Sequence, residues 1–130
     1  MNDQTCINGF SVNIQRITKN KILFSAQHIF IYDIVTRKFD IVATMGKEYE
    51  RQSPLIIATV GTKTYLSDLK NICEYDSSEG TFKTIYQGQH IINDASMDKD
   101  GVFWLASTEG LLRYDPRTGK SELIQTSLFQ

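Results

Sequence analysis

Cysteine, proline and histidine are scarce in this 130-residue chain, two of each, and neither sign of charge dominates, with 14 basic against 15 acidic side chains. No basic stripe interleaved with aromatics occurs, so no nucleic-acid partner is expected. Cys6 and Cys73 match no metal or redox spacing. Cys73 lies in an alternating stretch and reads as a small buried hydrophobe, and nothing supports a disulfide to Cys6. Long apolar runs are missing too. The longest aliphatic stretch, Leu55-Ile56-Ile57-Ala58, is far short of the ~20 residues that span a bilayer, so no direct membrane contact is expected. Residues 1–6 lack the cationic start and apolar core of a secretory signal, and the chain alone is expected to be cytoplasmic. Nor does any window hold apolar residues at helical spacing for the ~11 residues a helix requires.

What the chain does contain is a repeat. Three runs are alike: His28-Ile-Phe-Ile-Tyr32-Asp33, Asn71-Ile-Cys-Glu-Tyr75-Asp76 and Gly110-Leu-Leu-Arg-Tyr114-Asp115, their tyrosines 43 and 39 residues apart. Six residues after each Asp, at Phe39, Phe82 and Ser121, another strand-like segment opens. Upstream of each Tyr-Asp lie two more short apolar runs: Phe10–Ile14 and Ile22–Ser25, Leu55–Val60 and Thr64–Ser67, Ile91–Ala95 and Val102–Ala106. Four short strands separated by Gly, Asn, Asp and Ser turns, repeated about every 41 residues, describe antiparallel meanders. Four strands per ~40–50 residues is the pattern of a β-propeller blade. The expected fold is all-β, a single propeller segment of about three four-stranded antiparallel blades at approximately 10–46, 50–88 and 90–127. Propellers close with roughly four to eight blades, so three make an incomplete ring, to be completed by remaining blades of a larger propeller or by a second copy.

Individual residues acquire structural roles in this scheme. Tyr packs the third strand between neighbouring sheets, and Asp accepts backbone N–H groups in the turn that follows. Asp98-Lys-Asp100-Gly101 reads as a β-turn with glycine supplying the positive φ. Phe103, Trp104 and Leu105 form a strand, with Trp104 expected between adjacent blades. The apolar alternation persists in both end units, at Ile22, Leu23, Phe24, Ile29, Phe30 and Ile31 and again at Phe103, Trp104, Leu105, Leu111 and Leu112, so uncovered faces are expected to promote association.

Chemistry-bearing motifs are weak. With Ser96 as position 1 of a calcium loop, Asp98, Asp100 and Gly101 fall correctly, but position 12 is Ser107 rather than Glu and no helices flank it. His28 and His90 sit at strand starts in different units, outside any nucleophile motif. Asp94, Asp98 and Asp100 could be drawn as paired carboxylates for glycoside hydrolysis, but carboxylates in such turns are ordinarily solvated turn formers. No cofactor, metal or catalytic residue is expected.

The stretch from Ile92 to Gly119 resembles the two-component regulator propeller repeat. The resemblance falls on Ile92, Asp98, Asp100, Gly101, Trp104, Thr108, Gly110, Leu111, Tyr114, Asp115, Thr118 and Gly119, while the other two units keep only Tyr-Asp and the following Phe. It implies the periplasmic sensor region of a hybrid histidine kinase, recognising an oligosaccharide and signalling through a dimer. No kinase, receiver or DNA-binding part fits in 130 residues, so the chain itself is expected to be non-catalytic and periplasmic only as part of a longer membrane-bound sensor. A propeller interaction scaffold, or a fragment of a propeller carbohydrate-active enzyme, is the alternative. Propellers bind ligands through loops on one face. The longest loop, 46–54, offers Tyr49 to stack on a sugar ring and Arg51 and Gln52 to bond its hydroxyls.

Overall fold

Twelve strands form three separate four-stranded antiparallel sheets in the computed structural model, which describes residues 13–26, 28–43 and 54–124. The first sheet comprises β1 (Asn13–Arg16), β2 (Lys21–Ala26), β3 (His28–Asp33) and β4 (Lys38–Ala43). The second comprises β5 (Leu55–Val60), β6 (Lys63–Asp68), β7 (Asn71–Asp76) and β8 (Thr81–Gln87). The third comprises β9 (Ile92–Met97), β10 (Phe103–Ser107), β11 (Gly110–Asp115) and β12 (Lys120–Ile124). Each sheet is a simple meander, and the first strands β1, β5 and β9 lie closest to one another. These are three blades of an incomplete propeller, with no helix among the described residues. The first expected strand straddles the boundary of the described residues, and β1 runs further on, to Arg16.

The repeat is more regular in space than in sequence. Ile22, Thr64 and Phe103 each pair with the Tyr of the Tyr-Asp step. Units one and two also share an irregularity: the ladder shifts between Ile29 and Phe30 in one and between Ile72 and Cys73 in the other. One residue, Val42 or Ile85, is thereby left as the extra member of a bulge.

Because side chains alternate along a strand, each sheet has a front face toward the preceding unit and a rear face toward the following one. The rear of sheet one (Leu23, Ile29, Ile31) packs on the front of sheet two (Leu66, Tyr75, with Ile56 and Phe82). The rear of sheet two (Ile72, Tyr65, Ile57, Ile85) packs on the front of sheet three (Phe103, Leu105, Leu112, Tyr114). Leu23, Ile29, Leu66, Ile72, Phe103 and Leu105 are fully buried, each contributing about 1.5–3 kcal/mol relative to exposure.

The Tyr-Asp step does what its chemistry suggests. Tyr75 and Tyr114 lie in the two inter-sheet cores, and the Tyr114 hydroxyl donates to the Ile85 carbonyl at 3.0 Å. Asp33 Oδ1 accepts from the amides of Val35 and Thr36, Asp76 Oδ1 from the amide and hydroxyl of Ser78, and Asp115 Oδ1 from the Arg117 amide. Tyr32 differs, since no preceding sheet covers it among the described residues.

Trp104 does not lie between two sheets of the described residues, although its face of β10 is the one turned toward a following blade. Phe103 does, with an edge-to-face contact to Tyr65 at 5.2 Å. Trp104 points to the rear, where its indole donates to Asp98 Oδ2 at 3.0 Å and Arg113 lies 5.8 Å from the ring. The pairing register explains this: Trp104 occupies the position of Leu23 and Tyr65, which face the following unit, and the described residues hold three units.

The carboxylates split into two groups that respond oppositely to acid. The Thr36 amide beside Asp33, the Ser78 hydroxyl beside Asp76, the Trp104 indole beside Asp98 and the Arg117 guanidinium beside Asp115 hold these carboxyls below the usual range. Their stabilising effect is complete above the unfolded value near ~4 and is lost as pH falls through the lower folded values. Asp68 is the opposite case. Burial at the end of β6 raises its pKa, and its Oδ1 has no hydrogen-bond partner among the described residues. The cost of its charge is present at neutral pH and disappears as pH falls through the raised folded value. Asp68→Asn should therefore raise the thermal midpoint at pH ~7 and lose that advantage near pH ~4. Paired melts at the two pH values check this, and an equal difference at both would contradict it.

Candidate functional site

Two clefts open along the junction of the second and third sheets, at opposite ends. One, of about 330 Å³, is walled by Val60, Tyr65, Met97, Phe103 and Pro116, with Asp98 at its edge. It lies over the apolar core. The other, of about 360 Å³, is built where the chain passes from β8 to β9. Both reach the size of small-molecule sites.

The second cleft has the groups to hold a polar ligand. Tyr86, Gln87, Gly88, Gln89 and His90 come from the connection and the end of β8, and Leu112, Ser121 and Leu123 from the third sheet. Two backbone bonds tie the connection to the β6–β7 turn: Gly88 N–H to the Lys70 carbonyl at 2.9 Å, and Ile92 N–H to the Leu69 carbonyl at 2.8 Å. A Cβ on Gly88 would sit 2.8 Å from both the Lys70 carbonyl oxygen and a Tyr86 ring carbon, so only glycine fits without a shift of the backbone. Tyr86 is held by Tyr114, ring centroids 4.7 Å apart. His90 Nδ1 lies 3.9 Å from Glu109 Oε1. Amide, imidazole and hydroxyl groups beside a tyrosine ring and two leucines suit a neutral polyhydroxylated molecule, which needs both hydrogen bonds and an apolar face.

The residues singled out from the sequence fare unevenly. Tyr49, Arg51 and Gln52 lie outside the described residues. In sequence their segment follows β4 as 88–91 follows β8. Gln87, Gln89 and His90 were missed, although the ~41-residue period carries the start of the long loop onto them. Asp100 and Gly101 are turn residues and Gly110 opens β11, Gly101 and Gly110 with φ of 81° and 136°. Asp98, drawn on paper as a calcium ligand or catalytic acid, accepts from the amides of Asp100 and Val102 and the Trp104 indole. Those bonds tie it into the turn. Among the described residues no three His, Cys, Asp or Glu side chains cluster to hold a metal. Cys73 is buried and unpaired; burial and the nearby Asp68 push its thiol up to about 12, leaving it unreactive.

Comparison with known proteins places the fold. No family model and no curated protein matches the chain. Solved structures do: the extracellular domain of BT4673 from B. thetaiotaomicron, described once as a one-component and once as a hybrid two-component system, is similar with TM-scores of 0.69 and 0.68. Identity is 16% and 17%, over 89% and 88% of this chain. TolB from Acinetobacter baumannii is similar with a TM-score of 0.56 at 19% identity, over 83% of this chain and 30% of its own. The chain spans 16% of the length of either BT4673 structure. These likenesses establish the fold class that the strand pattern points to.

Proposed function

We propose that the chain is a ligand-sensing propeller segment of a two-component signalling sensor, itself non-catalytic, with an oligosaccharide as ligand. The cleft at the β8–β9 connection carries this reading, because its lining is hydrogen-bonding and uncharged apart from what His90 contributes. Glycoside hydrolysis calls for two carboxyl groups flanking the scissile bond, and the lining supplies none among the described residues. The fold it shares with the extracellular domain of BT4673 supports the same assignment. On this reading the segment works outside the cytoplasm within a longer membrane-anchored protein. No helix among the described residues is long and apolar enough to cross a membrane.

A glycan array followed by calorimetry on the chain tests this. The expected result is binding of an oligosaccharide without cleavage, weakened at least tenfold by His90→Ala or Gln89→Ala, a loss of about 1.4 kcal/mol. Gly88→Ala should weaken it too by displacing Tyr86, while Asp94→Ala should leave it unchanged. Absence of glycan binding, or hydrolysis of the bound glycan, would contradict the reading. An interaction scaffold would show the former.

A further inference from the structure

The front of the first sheet is an aromatic and aliphatic surface, with Arg16, paired with Ile22, as the charged side chain at its edge. Ile14, Ile22, Phe24, Tyr32 and Phe39 line an open apolar hollow. Phe24 stacks on Phe30 at 4.9 Å, and Tyr32 packs on Phe39 at 4.6 Å. Ile14, Phe39 and Ile41 are 69%, 61% and 60% exposed. In the second and third sheets the positions of Ile22, Phe24 and Tyr32 are Thr64, Leu66 and Tyr75, and Phe103, Leu105 and Tyr114, all buried against the rear of the preceding sheet.

The rear of the third sheet is the matching half. At the positions where sheet one carries Leu23, Ser25, Ile29 and Ile31, and sheet two carries Tyr65, Ser67, Ile72 and Glu74, it presents Trp104, Ala106, Leu111 and Arg113. The order is kept: a large apolar side chain, a small one, an aliphatic one, then a longer one. The chain already joins such a rear to such a front twice. We infer that a second copy of this chain occupies the front of the first sheet with the rear of its third sheet, and that two copies close a six-bladed ring through two identical junctions. Three described blades from each of two copies make six, within the roughly four to eight that close a propeller. A head-to-tail contact that closes gives a discrete assembly rather than a filament. Trp104 then lies between blades, against Ile22 and Phe24, as Tyr65 lies against Phe103. The inference rests on the propeller reading of the fold and not on the ligand.

Sedimentation of the full 130-residue chain, alone and with blocked variants, tests it. The wild-type chain should sediment as a dimer at tens of micromolar, and its Trp104 emission should shift to the red as dilution dissociates it. Phe39→Glu or Ile41→Glu blocks the front and Leu111→Glu blocks the rear. These side chains are exposed, so each variant should fold and run as a monomer. Mixing a front-blocked with a rear-blocked chain should restore one junction and a heterodimer. A wild-type chain that stays monomeric, or blocked variants that still dimerise alone, would overturn the proposal. A monomer that binds glycan leaves the functional reading standing, and a dimer that binds none leaves the assembly standing.

Discussion

Phe103→Ala is expected to lower the unfolding free energy by about 3–5 kcal/mol, the cost of emptying a fully enclosed aromatic site. Phe103 is fully buried, held by Tyr65 at 5.2 Å and stacked on Tyr114 at 6.2 Å, so the two sheets cannot close the gap by moving one side chain. The neighbouring Trp104→Ala should cost well under that in the dissociated chain. Trp104 is only half-buried, and its indole bond to Asp98 can be replaced by water. Denaturant melts of the two variants at low protein concentration make the comparison. Equal losses, or a larger loss at Trp104, would mean that the two faces of β10 have been exchanged.

Leu66→Ala should cost about 2–5 kcal/mol and should also break the coincidence of two probes. Leu66 is fully buried in the core between sheets one and two, while the chain's single tryptophan sits on the far side of sheet three. Stability in a stack of repeats is close to a sum of unit and neighbour-interface contributions. Weakening the first interface should let the first sheet open while the second junction holds. Far-UV circular dichroism should then begin to change at lower denaturant than tryptophan fluorescence, the mark of a transition no longer two-state. Coincident curves in the variant would contradict independent junctions.

The repeat was legible because its residues are constrained twice. Tyr75 and Tyr114 must fill the inter-sheet space, and Asp33, Asp76 and Asp115 must accept the amides of the following turn, so a two-residue signature survives where the rest diverges. Face assignment was not legible. Phe103 and Trp104 are adjacent large aromatics, and a one-residue step moves a side chain to the other face of a sheet. Only the pairing of Phe103 with Tyr114 decides which looks inward. The candidate cleft was hidden for another reason. Length drew attention to the loop at 46–54, whereas the described cleft is shaped by the short connection at 88–91, where Gly88 lies against the Lys70 carbonyl. A close approach between residues 18 positions apart leaves no periodic trace in a sequence.

The account turns on a middle sheet covered on both faces and two outer sheets each covered on one. Strand-resolved amide hydrogen exchange on the chain, held dilute enough to be dissociated, measures this most directly, since protection follows local opening. Protection should be greatest in β6 and β7, where Thr64, Leu66, Ser67, Ile72, Cys73 and Tyr75 are all buried, and least in the outermost strands β4 and β12. Amides of β4 or β12 that exchange as slowly as those of β6 and β7 would contradict the stacked three-blade arrangement.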